Sequence, residues 1–262
     1  MLHTVRHDDV TELRFTTWRS RSVGFAVRAF LVRGVLVDSG FPAVADDLAA
    51  WLATVHPDGC ALTHFHEDHA GGAATVAAAG VPLWMDPRTA ERVRSPARIG
   101  FYRRYTWGSP RPVSTVRPFV LSAPLAAIAT SGHADDHHVV WDAETRTLFG
   151  GDLFIGVKVR SSHRTERPRM LVRSLRTVIA LQPRRLFDAH RGLVDSPVSS
   201  LEAKADWMEE TIAAIDARIA RGDDDAAIAR AVLGNDGFGR AFTAGDYTME
   251  NFVACVRAEG GV

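Results

Sequence analysis

Residues 64–69 read His-Phe-His-Glu-Asp-His, three imidazoles and two carboxylates in six positions, closed shortly after by Gly71-Gly72. Imidazole and carboxylate together suit a borderline cation such as Zn²⁺. His64 and His66 lie two apart, so on an extended segment their side chains leave on the same side and can reach one ion. Asp68 and His69 follow on the turn and point towards a neighbouring site. A polar surface loop has the same local composition, so distant partners are the test. They occur as His133 in "TSGHADD", Asp152 in "LFGGDLF" and His190 in "LFDAHRGL", each after an apolar, strand-like run. Catalytic zinc sites keep a position open for water. A bridging carboxylate, here Asp152, holds two ions about 3.5–4 Å apart. Metal binding therefore outweighs the surface-loop reading.

The elements that must position these groups read as an α/β pattern. "VGFAVRAFLV" and "GVLVDSG" are strands joined by a hairpin at Arg33-Gly34, and "VADDLAAWLATV" has helical spacing. "CALTH" is a short buried strand running into the cluster. "AGGAATVAAAG" is a helix with a glycine stop. The pattern then repeats, with strands at "PLWMD", "FVLSAPLAAIATSGH", "HHVVWD", "TLFGGDLFIG" and "RRLFDAH" and a helix at "RMLVRSLRTVIALQP". From Pro197 the periodicity is helical throughout. The reading is a catalytic core over 1–196 and a helical extension over 197–262, packed on the core.

Composition limits the partners. Hydrophobic residues make up 46% of the 262, and 31 Lys+Arg balance 31 Asp+Glu. Zero formal charge argues against wholesale binding of nucleic acid or of an anionic membrane. No apolar run approaches the roughly 18 residues that span a bilayer, and the first residues carry no secretory pattern. Cys60 and Cys255 are far apart and form no CxxC, so both are expected reduced. The expectation is a cytoplasmic protein acting on a small molecule; a homodimer is compatible with it.

The order Thr63-His64-x-His66-x-Asp68-His69-x-Gly71-Gly72, then Gly132-His133, then Gly151-Asp152-x-Phe154, then His190 resembles the metallo-β-lactamase-fold hydrolases. "VLVDSG" is similar to that family's strand ending in Asp-x-Gly. The resemblance covers roughly residues 20–195. It implies a four-layer αββα sandwich with a dinuclear site at one edge. His64, His66 and His133 would hold one ion, and Asp68, His69 and His190 the other, with Asp152 between them. Asp38 becomes an outer-sphere residue. Two Zn²⁺ are expected, with Mn²⁺ or Fe²⁺ as alternatives, and a metal-bound hydroxide as nucleophile oriented by Asp68. His190 is followed by Arg191 where many members have glycine.

The implied reaction is hydrolysis of a small-molecule ester, thioester or lactone, as in glyoxalase II-like thioesterases and acyl-homoserine-lactone lactonases. The alternatives are a nuclease or phosphodiesterase of the same superfamily, and a mononuclear-iron persulfide dioxygenase. His137, four after His133, is either outer-sphere or a strand-entry histidine. Residues 97–108, "ARIGFYRRYTWG", interleave Arg with aromatics. They are expected to wall the pocket, with Tyr102 and Tyr105 as candidate substrate contacts. Tyr247 reads as a packing residue of the tail. Asp223–Asp225 read as a helix start, where carboxylates cap free amides.

Overall fold

The computed structural model describes residues 1–260. The first sheet holds β1 (Leu2–His7), β2 (Val10–Phe15), β3 (Val27–Val32), β4 (Val35–Val37), β5 (Gly59–Ala61) and β6 (Leu83–Trp84), in sequence order. Its first four strands run antiparallel, while β4, β5 and β6 pair in parallel. The second sheet is ordered β11-β10-β9-β8-β7, from β7 (Leu125–Ala129), β8 (His138–Asp142), β9 (Thr147–Phe149), β10 (Arg185–Asp188) and β11 (Gly192–Val194). Ten helices occur among the described residues. These are α1 (Trp18–Ser22), α2 (Ala45–Leu52), α3 (Ala73–Ala78), α4 (Pro87–Arg94), α5 (Phe101–Trp107), α6 (Pro168–Ala180), α7 (Pro197–Ile219), α8 (Asp225–Val232), α9 (Phe238–Phe242) and α10 (Met249–Gly260).

Strand side chains alternate between faces, and here both faces are apolar because both are covered. Phe30 and Val32 of β3, Val35 and Val37 of β4, Val140, Phe149 and Phe187 meet between the sheets. The Phe187 ring lies 5.2 Å from Phe30 and 5.5 Å from Phe149. The opposite faces carry Val27, Ala29, Leu36 and Cys60, which pack with Leu48 and Val76 of α2 and α3. Val139, Trp141, Leu148 and Leu186 pack outward on Leu175, Leu201, Ile212, Ile228 and Val253 of α6, α7, α8 and α10. Three apolar layers between four layers of structure make the αββα sandwich, and the C-terminal helices complete its last layer.

Several elements differ from expectation. The N-terminal hairpin β1–β2 is absent from the sequence reading, because β1 is an edge strand with most of its residues exposed or half-buried. The long run before His133 keeps only Leu125–Ala129 as strand, since Pro124 cannot donate to a ladder. "TLFGGDLFIG" ends as a strand at Phe149, where Gly150-Gly151 turn the chain. The basic-aromatic insertion folds as α4, capped by the Asp86 carboxylate accepting from Arg88 N at 2.8 Å, and α5. The acidic run behaves as its composition suggests: Asp224 accepts from Ala227 N at 2.7 Å and opens α8.

Candidate metal centre

The chain leaves β5, β7, β9 and β10 at the same edge, and each exit carries a candidate ligand. His64, His66, Asp68 and His69 follow β5; His133 follows β7; Asp152 follows β9; His190 follows β10. All but His190, which is half-buried, are buried. The tight turn after β5 demands small residues. A Cβ at Gly72 would stand 2.1 Å from Ser39 O, and one at Gly71 2.1 Å from Glu67 O. No side chain can be accommodated against backbone at that distance.

Two donor sets result, His64, His66, His133 and Asp152 in one, Asp68, His69 and His190 in the other. His64 Nε2 and His133 Nε2 each lie 3.0 Å from His66 Nδ1. Donors around one tetrahedral zinc stand about 3.3 Å apart, so this triad is close to the spacing an ion needs. Asp152 stands between the sets. Its Oδ2 is 3.2 Å from His133 Nε2 and 4.0 Å from His64 Nε2. Its Oδ1 is 3.1 Å from both His69 Nε2 and His190 Nε2. Asp68 Oδ2 lies 3.6 Å from His190 Nε2 and 3.9 Å from His69 Nε2.

Outer partners fix which nitrogen faces inward. Asp38 Oδ1 accepts from Thr63 N at 2.8 Å, and its carboxylate accepts the Thr63 hydroxyl at 3.0 Å. With its proton committed there, Thr63 Oγ1 accepts from His64 Nδ1 at 3.0 Å, leaving His64 Nε2 a bare lone pair. Asp38 Oδ2 likewise accepts from His69 Nδ1 at 2.8 Å. His69 Nε2 and Asp152 Oδ1 are then buried with no hydrogen-bond partner, a lone pair against a carboxylate oxygen. A proton or a metal cation has to lie between them, and the donor chemistry fits a divalent metal. His190 Nδ1 donates to Ala26 O at 3.3 Å, and Glu166 Oε1 lies 3.6 Å from His133 Nδ1.

The electrostatics divide the same way. Burial, then the neighbouring imidazoles, hold His64 and His66 well below the ordinary histidine range. Burial also opposes charge on His69, but Asp152, Asp38 and Asp68 outweigh it and raise that group well above the usual value. At His190 burial is outweighed by Asp152 and Asp68, and the group rises to about 9. Burial raises the Asp152 carboxyl, yet His69 and His190 carry it well below the usual carboxylate range.

Around the ligands stand residues that sequence reasoning missed. Asp136, fully buried, accepts from Thr89 Oγ1 at 2.7 Å and Phe65 N at 3.1 Å, fixing the residue between His64 and His66. Asp188 accepts from His190 N, Arg191 N and Ile155 N at 2.8, 2.8 and 2.7 Å, and so ties the two loops bearing His190 and Asp152. The partners of Asp136, and Ile155 for Asp188, come from distant elements, which no local motif reveals. His137 accepts from Asp152 N at 3.1 Å through Nε2, so its Nδ1 carries the proton donated to Thr130 Oγ1 at 2.9 Å. It therefore positions Asp152 through the backbone. His138 is elsewhere, donating to Asp136 O.

A cavity of about 610 Å³ opens over the ligands. Tyr102, Arg103, Thr106 and Trp107 of α5 form one wall, facing Leu171 of α6 and Met208 of α7. Tyr105 does not line it. Positions 102, 103, 106 and 107 share a helix face and 105 falls about 130° from its centre, where its ring meets exposed Trp18 edge-on at 6.1 Å. Tyr247, expected to pack in the tail, lines the cavity, as does Arg191. Glu67, between the ligands, is buried and held by the Arg103 guanidinium through Nε and Nη2.

Two packed sheets flanked by helices, with histidines and carboxylates gathered from four strand ends over one cavity, define a metallo-hydrolase fold. The chain belongs to the metallo-β-lactamase superfamily, whose family profile matches residues 23–212. Its sequence is similar to the beta-lactamase-like protein 2 homologs of Caenorhabditis elegans and Drosophila melanogaster, each 26% identical over 178 residues. Those matches cover 64% and 65% of this chain and 55% and 59% of the relatives, so the chain spans less than two thirds of their length. The fold is similar to DIM-1 metallo-β-lactamase (TM-score 0.61, 14% identity, 80% of this chain and 97% of that one). It is also similar to a metallo-β-lactamase from Pontibacter korlensis (0.59, 18%, 80% and 99%). A third is FIM-1 from Pseudomonas aeruginosa in its mono-zinc form (0.58, 15%, 80% and 95%). No helix among the described residues is long and apolar enough to cross a membrane.

Proposed function

We propose that this chain is a dinuclear metallo-hydrolase that cleaves an ester, thioester or lactone bond in a small molecule. The observation that carries the reading is Asp152, whose two oxygens face two separate donor sets. His64, His66 and His133 would hold one divalent ion and Asp68, His69 and His190 the other, with Asp152 shared. Zinc suits the donors best. Ions bound there acidify a water towards neutral pH and polarise the oxygen under attack.

The chain's own groups do the rest. Asp68, at the cavity surface, accepts a hydrogen bond from the attacking water and hands its proton to the leaving group. Asp38, Thr63 and Glu166 hold the imidazoles in the right tautomer. Phe25, Trp107, Leu171 and Phe252 give the cavity apolar walls that exclude bulk water. The volume is that of a small-molecule site, within the general range of about 300–1,000 Å³.

The test is metal content followed by turnover. About two zinc per chain, with hydrolysis of at least one carbonyl ester, thioester or lactone and loss of both the second ion and turnover in Asp152→Ala, is the expected result. One iron per chain with oxygen uptake, or cleavage confined to phosphodiesters, would replace this reading by another within the superfamily.

A further inference from the structure

Lys204 of α7 lines the cavity and is only 2% exposed. Its Nζ donates to Leu153 O at 2.9 Å and to Phe154 O at 2.6 Å, the two carbonyls that follow Asp152. An ammonium has three donors, and these contacts use two. No carboxylate among the described residues pairs with it. The three that act on it from a distance are Asp188, Glu166 and Asp152. Asp188 is committed to three backbone amides, Glu166 faces His133, and Asp152 faces the two donor sets. Burial lowers the ammonium from the ordinary lysine range to about 8, so it is largely charged at neutral pH. A buried charge without a counter-charge is costly, and the fold keeps this one at the wall of the substrate cavity. The same cavity is also lined by apolar Leu171, Met208 and Phe252.

We infer that Lys204 is the recognition site for an anionic group of the substrate, a carboxylate carried on an otherwise apolar skeleton. The inference rests on the hydrolase reading and narrows it, from any small ester to one bearing a carboxylate away from the scissile bond. It also gives the helical extension a role, since α7 supplies the recognising group to a site whose ligands all precede it in the chain.

The experiment uses the metal-loaded full chain and a matched pair, the mono-4-nitrophenyl ester of adipic acid and its methyl ester, with release of 4-nitrophenolate followed by absorbance. The native protein is expected to favour the carboxylate-bearing ester at least about tenfold in kcat/KM, mainly through KM, the size of one buried charge-assisted hydrogen bond. Lys204→Met, which keeps the volume, removes most of that preference. Calorimetry supplies a readout that needs no turnover: adipate binds more tightly than monomethyl adipate, and Lys204→Met closes the gap. Metal content and thermal midpoint show whether the variant is folded; if it is not, Lys204→Gln is compared instead. A lysine that merely tethers residues 153 and 154 would lower both esters equally in the variant and leave their ratio unchanged, which overturns the inference. Equal rates and equal binding of the two partners in the native protein would overturn it as well. Failure to hydrolyse either ester, with the binding preference intact, would count against the hydrolase reading while leaving the anion site standing.

Discussion

Replacing Asp38 by asparagine tests the logic of the centre with a change of one atom. Asp38 Oδ2 accepts from His69 Nδ1 at 2.8 Å, and that bond directs the Nε2 lone pair at Asp152. In Asp38→Asn the amide oxygen can still accept from Thr63 N, as Oδ1 does now at 2.8 Å. The amide nitrogen then faces His69 Nδ1–H, two donors head to head, which favours the tautomer with its proton on Nε2. A hydrogen bond to a charged group contributes about 1.5–3 kcal/mol, and outer partners of metal-bound histidines typically change affinity by about 10–100-fold. The ion that uses His69 should therefore weaken by about 10–100-fold, and the ion held by His64, His66 and His133 by much less. Stepwise competition of zinc against a chromophoric chelator resolves the two affinities. If both steps stay within about twofold of the native protein, a change smaller than the hydrogen-bond range allows, Asp38 does not set the His69 tautomer. Equal weakening of both steps would instead place its effect on Thr63 and the whole ligand loop.

Two further outcomes follow from packing and charge. Phe187 is fully buried between Phe30 and Phe149, so Phe187→Ala should cost about 3–5 kcal/mol, read as a lower urea midpoint at unchanged slope. In the ion-free protein, folding raises His190 to about 9, above the unfolded value of about 6.5, so its charged form is bound more tightly by the folded state. That contribution is fully present below about pH 6.5 and is lost as pH rises through about 9. Denaturation of the ion-free protein across pH 6–10 should therefore show stability falling with pH, with a shallower fall in His190→Gln.

The candidate ligands were legible because each is local in its own way: a dense cluster after β5, and single residues at the ends of apolar runs read as strands. Both-face burial made those runs continuous rather than alternating, which identified a covered sheet. The edge strand β1 gave no such run and was missed. Glu166, Asp136, Asp188 and Lys204 act through contacts across 33, 71, 33 and 51 residues of chain. Their meaning depends on what the fold brings beside them, and a carboxylate or lysine alone in a sequence reads as surface. Tyr102 and Tyr105 show the same limit at short range, since the helix phase that separates them needs to be anchored on a known cavity.

The two donor sets also have a mechanical meaning. His64, His66, Asp68 and His69 leave the first sheet, whereas His133, Asp152 and His190 leave the second. A cation held by Asp68, His69 and His190 would be a crosslink across the seam between the sheets, and from residue 68 to residue 190 it would close a loop of 122 residues (190 − 68). A disulfide closing a loop of about 100 residues removes some 4–5 kcal/mol of chain entropy from the unfolded ensemble, and a tightly held ion acts on the same entropy. Release of the metal thus unclasps two halves otherwise held by a layer of phenylalanines and valines.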